Sequence, residues 1–486
     1  MIKGKEVKVL DKNAEFFGTP QEKLMEEAGR QLAIFIEDNF TDPLISIFCG
    51  LGNNGGDGFV AARYLSKNHP VSLFLVGEEK QIHTSISQMN FTKLKQIPLK
   101  IYDVRSLSKI DSILEKNTII IDAMLGIGLT GNLREPYDKI VQKINNSKDK
   151  TIISCDVPTG MGLNTTIMPH HTITFHDKKE GMDENVCGKI HVRSIGIPEK
   201  ASIYVGPGEL SEYYPRPKKQ SHKGQNGRVL IIGGGPYIGA PVLSALASYR
   251  VGADLVTIAV PKNIMSTVAA FSPNIIVRQL NSEDYLSPAD TDLIKKLCLK
   301  VDAVLIGPGL GLSSETIESV KIIVDFLSKN KIPVIVDADG ITALSTNHEI
   351  LRKSNAIITP HAKEFHEFSS ETLKTDLENQ IEQVENWAKK LEIGIFVKGP
   401  TDVISDGKIT RLNMIHNEAM TVGGTGDVLA GIIVGLLSKH TSLINAMRIA
   451  AFINGEAGNI AFKKYSYGMC ATDVIENIPE VLKRYL

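Results

Sequence analysis

Two α/β domains with largely parallel sheets are what this sequence predicts, on three observations. Short β-branched runs alternate with longer amphipathic segments along most of the chain. Many of those runs end at polar or glycine-rich turns. One aperiodic stretch, Tyr213-Tyr214-Pro215-Arg216-Pro217-Lys218-Lys219-Gln220, interrupts the alternation with two prolines and clustered charge. At 486 residues the chain also exceeds what one ordinary core serves. The expected division is a domain over 1–212, a linker over 213–221 and a domain over 222–486.

The elements follow in order. Leu24, Ala28, Leu32 and Ile36 recur at helical spacing and predict a helix over 21–38. Ile45-Ser46-Ile47-Phe48-Cys49 reads as a buried strand, with a helix over 60–66 behind it. Further strands are predicted at 71–76, 118–121 and 151–155, and one more begins at Thr172. Beyond the break, a strand over 228–232 precedes Gly233-Gly234-Gly235 and a helix over 241–251. Strands at 301–306, 333–336, 356–358 and 393–397 continue the pattern.

Composition narrows the function class. Lys and Arg total 54 and Asp and Glu 55, so no charge excess recruits nucleic acid or a membrane surface. Apolar runs such as 428–437 are far too short to span a bilayer. The five cysteines are scattered, with no C-x-x-C pair, which supports neither a zinc site nor a disulfide framework. A cytoplasmic enzyme with small-molecule substrates is expected, with no nucleic-acid or membrane partner, assembled as a homo-oligomer.

Gly50-Leu51-Gly52-Asn53-Asn54-Gly55 matches G-x-G-x-x-G between a strand and a helix, the setting in which backbone amides approach a pyrophosphate. That signal alone fits a nicotinamide dehydrogenase, with Glu78 or Glu79 near a ribose, or merely a tight turn. The continuation Gly56-Asp57-Gly58 adds polar groups, and with Asn53 and Asn54 supplies oxygens able to hold a hard cation. A second polar turn spans Asp122 to Gly131, and a third is Asp156-Val157-Pro158-Thr159-Gly160, each at a strand's C-terminal end. In parallel sheets such loops converge on one crevice.

In the second domain, Gly423-Gly424-Thr425-Gly426-Asp427 leads into an apolar helix over 428–437. Glycines there leave backbone amides unpaired at a helix N-terminus, which makes an anion hole for a transferring phosphate. Asp427 in the first turn can take a proton from an attacking hydroxyl; the plainer alternative is a charge that favours the helix dipole. Lys398-Gly399-Pro400-Thr401-Asp402, Gly307-Pro308-Gly309-Leu310-Gly311, Asp337-Ala338-Asp339-Gly340 and Thr359-Pro360-His361 each follow a predicted strand.

With Leu24-Met25-Glu26-Glu27-Ala28-Gly29, the first three loops resemble the YjeF N-terminal family, epimerases of hydrated NAD(P)H, over about residues 1–212. The resemblance implies a Rossmann-like three-layer domain that binds the hydrates NADHX and NADPHX, and K+ held by Asn54, Asp122 and Thr159. It implies substrate contacts at Asn53, Asn54, Gly55, Gly56, Asp57, Gly126, Ile127, Gly128, Leu129, Thr130, Gly131, Asn132 and Asp156, with Asp156 as the acid–base group. After Pro158 the family usually has Ser-Gly-Leu-Asp; here Thr159-Gly160-Met161-Gly162 stands instead, so Thr159 keeps the hydroxyl and the aspartate is missing.

The second domain, over about residues 220–486, resembles the ribokinase-like NAD(P)H-hydrate dehydratases, with His222-Lys223-Gly224, Thr359-Pro360-His361 with Glu364, and Gly307 to Gly311 discriminating. The resemblance implies substrate contacts at Ala240, Gly309, Gly311, His361 and Asp427. It implies nucleotide contacts at Lys398, Gly399, Pro400, Thr401, Asp402, Gly424, Thr425 and Gly426, with Mg2+ and ADP or ATP as co-substrate, ADP favoured. A vitamin-precursor kinase of the same superfamily and a non-enzymatic scaffold of RNA metabolism are the competing readings.

Overall fold

The computed structural model describes residues 1–104, 110, 113–128 and 131–486. The chain forms two compact units, Met1–Ala201 and Ser202–Leu486.

In the first unit, β1 (Ile45–Cys49), β2 (Val71–Leu75), β3 (Lys100–Asp103), β4 (Ile119–Ala123), β5 (Thr151–Cys155), β6 (His171–Phe175) and β7 (Lys189–Arg193) form one sheet. Their order is β3-β2-β1-β4-β5-β6-β7, with every pairing parallel. The side-chain period of two sends alternate residues to opposite faces, and both faces are covered. Ile45, Ile47, Ile119 and Ile121 pack in one buried cluster with Leu32 and Phe59, while Phe48 and Ile120 pack in another with Ile140 and Ile144. A three-layer sandwich results. The order reverses between β1 and β4, so the loops after these two strands open on one crevice.

The second unit repeats this logic with a longer sheet. It comprises β8 (Arg228–Ile232), β9 (Leu255–Val260), β10 (Ile276–Gln279), β11 (Ala303–Ile306), β12 (Val334–Val336), β13 (Ala356–Ile358), β14 (Gly394–Val397), β15 (Asp402–Ser405) and β16 (Thr410–Asn413). The order is β10-β9-β8-β11-β12-β13-β14-β15-β16; only the β14–β15 and β15–β16 pairings are antiparallel. Val229 and Ile231 face the cluster built on the helices Gly239–Arg250, Thr425–Leu437 and Leu443–Tyr465. Leu230 and Ile232 face the one built on Ser314–Lys329 and Leu377–Leu391. The reversal here lies between β8 and β11.

The compact units part between Ala201 and Ser202, upstream of the expected linker at 213–221, so residues 202–212 pack with the second unit. Packing explains the shift. Val205 and Leu210 are buried in the second unit's core, and Glu209 forms a fully buried ion pair with Arg448 at 2.9 Å. The proline-rich stretch is itself anchored: Tyr214 donates its hydroxyl proton to the Val251 carbonyl at 3.1 Å, and Arg216 Nη2 donates to the Leu486 carbonyl at 2.5 Å. Among the described residues, no helix is long and apolar enough to cross a membrane.

Candidate active sites

The first unit contains a cavity of about 890 Å³. Asn53, Asn54 and Asp57 reach it from the start of the helix Asn53–Leu65, Gly126 to Gly128 from the loop after β4, and Asp156 from the end of β5. The turn after β1 is tight: a Cβ on Gly55 would sit 2.0 Å from the Gly50 carbonyl oxygen, so only glycine fits. Asp156 holds a left-handed backbone conformation, φ 62°, an unusual state for a non-glycine residue that turns its carboxylate back toward β6. There the carboxylate accepts from Thr174 Oγ1 at 3.2 Å and the Phe175 amide at 3.3 Å, and pairs with the ammonium of Lys179. Lys179 is buried and also donates to Thr174 Oγ1 and the Phe175 carbonyl, at 2.9 and 2.7 Å.

Beside the cavity lies a buried oxygen-rich corner. Asp122 accepts from Thr159 Oγ1 at 2.6 Å, Thr159 N at 2.8 Å, Ser154 Oγ at 3.0 Å and Met124 N at 3.2 Å. Burial raises its pKa and these hydrogen bonds oppose the rise. Thr159 Oγ1 also accepts from the Leu125 amide at 3.0 Å. Asn54 is buried, adjoins Gly126, and neither its Oδ1 nor its Nδ2 has a hydrogen-bond partner. An unpartnered buried amide costs about 1–3 kcal/mol, so the corner fits a ligand that Asn54 Oδ1 would bind. The donors are the neutral and anionic oxygens that suit a hard cation.

In the second unit the helix Thr425–Leu437 is buried along its length from Val428, and its N-terminus carries no side-chain cap. Gly424 precedes it at φ 96°. Asp427 sits in the first turn, and Lys398, at the end of β14, lies under it: a Cβ on Gly426 would be 3.5 Å from Lys398 Nζ. Lys398 pairs with Asp337 at 3.1 Å and Glu364 at 3.7 Å. Burial works against its charge, but Asp337, Glu364 and Asp427 outweigh that and raise its pKa. Asp427 is pushed up to about 7, by burial first and then by Asp337, with Lys398 opposing and Glu364 and Asp339 adding. A carboxyl poised there can carry a proton at neutral pH.

The surrounding loops lock together. A Cβ on Gly307 would lie 1.8 Å from the Asp337 carbonyl oxygen, which pins the β11 loop to the β12 loop. Gly311 N donates to Asp339 Oδ2 at 2.8 Å, and Thr359 Oγ1 donates to Asp337 Oδ1 at 2.7 Å. His361 caps the helix Ala362–Ser369 through the Glu364 amide, while Glu364 accepts from the His361 amide. Lys398 N donates to the Pro360 carbonyl at 2.8 Å, which sets His361 beside the lysine's strand. Ala240 opens the helix Gly239–Arg250, and Ser244 in that helix donates to the Asp427 carbonyl at 2.9 Å. Among the described residues no three His, Cys, Asp or Glu side chains converge as a metal site.

The same two units are matched by known families. The family described as NAD(P)H-hydrate dehydratase matches residues 229–480, and the YjeF-related protein N-terminus matches residues 21–181. The bifunctional NAD(P)H-hydrate repair enzyme of Archaeoglobus fulgidus is 38% identical over 99% of this chain and 98% of its own length. The chain belongs to the bifunctional NAD(P)H-hydrate repair enzymes. The repair enzyme of Methanocaldococcus jannaschii is likewise 38% identical, over 99% of this chain and 94% of its own. Among solved structures, the ADP/ATP-dependent NAD(P)H-hydrate dehydratase from Bacillus subtilis, co-crystallised with ATP and Mg2+, aligns at TM-score 0.50 and 26% identity, over 58% of this chain and 99% of that one. A ribokinase-like superfamily protein from Enterococcus faecalis aligns at 0.51 and 27%, over 58% and 96%.

In this repair enzyme the expected site residues divide by position. Asn53, Asn54, Asp57, Gly126, Ile127, Gly128 and Asp156 line the cavity. Gly55 and Gly56 are buried against neighbouring chain, and Gly131 and Asn132 lie exposed, with Asn132 accepting from Asn164 at 3.4 Å. Leu129 and Thr130 lie outside the described residues. Asp122 and Thr159 are joined directly, and Asn54 adjoins Gly126. In the second unit Asp427, Gly426 and Lys398 come together, and Ala240, Gly309, Gly311 and His361 stand on loops or helices joined to them. Gly399, Pro400 and Thr401 follow Lys398, and Asp402 shapes that loop by accepting from Gly399 N at 3.0 Å and Asn413 Nδ2 at 2.8 Å. Thr425 donates to the Met420 carbonyl at 2.8 Å, which fixes the glycine turn containing Gly424.

Lys179 and Asp11 are among the cavity residues that the sequence does not single out. Lys178-Lys179 looks like a solvated pair, and only the β5–β6 pairing brings Lys179 to Asp156. Asp11 belongs to the helix Gly4–Phe16, whose polar start masked it.

Proposed function

We infer that this chain repairs hydrated NADH and NADPH. The first unit interconverts the R and S hydrates, and the second dehydrates the S form at the expense of a nucleotide, with ADP the favoured phosphoryl donor and ATP the alternative. Full-length similarity to the repair enzymes supports the pairing of activities. The observation that carries the chemistry is Asp427, at an uncapped helix N-terminus beside Lys398, with its pKa near 7.

Asp427 accepts the proton of the ring hydroxyl as that oxygen attacks the terminal phosphorus of the nucleotide. The amides of Gly424 to Gly426 and the Lys398 ammonium face the charge that develops on the phosphoryl oxygens. Phosphate is then a good leaving group: the ring nitrogen's lone pair expels it as a C=N bond forms, and loss of a proton from the adjacent ring carbon restores the dihydronicotinamide. Mg2+ would bind through the nucleotide's phosphates with one or two of the carboxylates Asp337, Asp339 and Glu364, and would neutralise phosphate charge. In the first unit Asn54, Asp122 and Thr159 would hold K+, which would fix the loops after β1, β4 and β5 around the substrate. The proposed setting is cytoplasmic, with the chain as a homo-oligomer.

The test is recovery of near-ultraviolet absorbance from a mixture of both NADHX epimers with Mg2+, K+ and either ADP or ATP. Full recovery faster than spontaneous epimerisation is expected, and the faster nucleotide names the donor. Recovery of one epimer alone would leave a dehydratase beside an inert first unit. No recovery with either nucleotide would overturn the reading in favour of a small-molecule kinase.

Dehydration also has an expected pH dependence. Asp427 must be ionised to accept the proton, and its value near 7 makes kcat/KM rise about tenfold between pH 6 and pH 8. A flat profile over that range would remove Asp427 as the base.

A further inference from the structure

The cavity of the first unit holds more acid–base groups than a single inversion by Asp156 uses. Asp11 reaches it from the helix Gly4–Phe16, Asp57 from the helix after β1, Asp156 from the end of β5 and Lys179 from the loop after β6. Their engagement differs. Asp156 is held by Lys179, Thr174 and the Phe175 amide. The carboxylates of Asp11 and Asp57 have no hydrogen bond or ion pair to any described residue. A polar group turned toward a cavity without a protein partner is placed for a ligand or for water.

Asp11 is also held in position. The Met1 amino group pairs with Asp177 at 3.1 Å, Ile2 N donates to the Lys178 carbonyl at 2.9 Å, and Glu180 N donates to the Ile2 carbonyl at 2.9 Å. The N-terminus is thus clipped to the loop that carries Lys179, and the helix behind it sets Asp11 on the cavity wall. Burial and then the charge of Asp156 raise Asp11 to about 6, with Lys179 opposing. Lys5 and Lys8 of the same helix, with His83, His176 and Tyr137, are the other titratable groups that line the cavity.

We propose that Asp11 is the second acid–base residue of the epimerase: its carboxyl gives a proton to the ring hydroxyl as it leaves, and the Asp156 carboxylate takes one from the water that returns to the opposite face. The proposal rests on the epimerase reading above. Its steps balance. The C–O bond breaks and water departs with the Asp11 proton, while the ring nitrogen's lone pair forms a C=N bond to the same carbon. Water then adds to that carbon from the other face, its proton passes to Asp156, and the C=N electrons return to nitrogen. Nothing is oxidised or reduced. In the reverse direction the two carboxyls exchange roles, as an enzyme acting on both epimers requires.

The experiment uses the full chain, one purified NADHX epimer and no nucleotide, so that dehydration does not drain the mixture. Appearance of the other epimer is followed by chromatography in water enriched in oxygen-18, against a protein-free control. The wild-type chain is expected to incorporate one labelled oxygen per inversion, faster at pH 6 than at pH 8. Asp11→Asn is expected to be about 100-fold slower in kcat, with KM within about threefold and the pH dependence flattened. Asp11→Glu should regain at least about a tenth of the rate, which a packing role would not produce. The asparagine variant should fold, because the carboxyl it replaces has no hydrogen bond to lose. An Asp11→Asn rate within about twofold of wild type, or inversion without label, overturns the proposal. A wild-type chain no faster than buffer is a different result, which removes the epimerase reading itself and Asp11 with it.

Discussion

Asp427→Asn is expected to lower the dehydration rate by about 10³-fold and, above pH 7, to make the second unit more stable than wild type. The two effects share one cause. The amide cannot accept the hydroxyl proton, so the phosphoryl step loses its base. The carboxyl it replaces has its pKa raised from 3.8 to about 7 by burial and by Asp337, Glu364 and Asp339. Between those values the folded chain binds a proton that the unfolded chain does not. Stability therefore falls as pH rises from about 4, and the full cost is present above about 7. Asparagine has no such titration, so the variant's melting temperature should match wild type near pH 4 and exceed it at pH 8. The Lys398 ammonium keeps Asp337 and Glu364 as partners in either case. A capping role predicts the opposite. Removing a charge that only favours the helix dipole would cost about 0.3–1 kcal/mol and leave turnover intact. Activity and thermal unfolding measured on one variant across pH separate the two. A variant that melts lower at pH 8 and still turns over would overturn the assignment.

Much of this arrangement was legible in the sequence, and the limits have physical causes. β1, β4 and β5 are β-branched runs buried on both faces, so period and composition agreed on them. β15 and β16 are four-residue strands of mixed polarity at one end of the sheet, which offer no such run. The helix Gly4–Phe16 buries only Val9, Leu10, Asn13 and Ala14, too narrow a stripe to stand out from its lysines. Asp156 and Lys398 stand out in the sequence because each directly follows a buried strand, and Asp427 because it follows a run of glycines at the start of an apolar helix. Lys179 had no such mark, since its role arises from pairing across β5 and β6. Thr159, where the family usually has serine, proved informative: its hydroxyl is bonded to Asp122, so the corner that fits a cation keeps its oxygen.

The segment 202–213 carries the largest expected effect on stability. No change in composition marks residue 201, and the prolines at 215 and 217 drew the division to themselves. Besides the burial of Val205 and Leu210, 202–213 is tied to the second unit by a buried ion pair, Arg448 Nη2 to Glu209 Oε1 at 2.9 Å, with both side chains about 1% exposed. Glu209 also accepts from the Gly206 amide at 3.0 Å, and the Arg448 guanidinium lies 5.7 Å from the centre of the Tyr213 ring. Arg448→Met would leave the Glu209 carboxylate buried with its cation gone. Breaking such a pair from one side costs about 3–5 kcal/mol, whereas replacing both partners with apolar groups is often neutral. Arg448→Met is therefore expected to lower the melting temperature of the second unit by about 10 °C. The double variant Arg448→Met, Glu209→Met should recover most of that loss, a strong departure from additivity. Calorimetry on the three chains decides it. Recovery in the double variant locates the cost in the stranded carboxylate. An equal or larger loss would mean that the guanidinium's packing on Tyr213, rather than its charge, holds the segment in place.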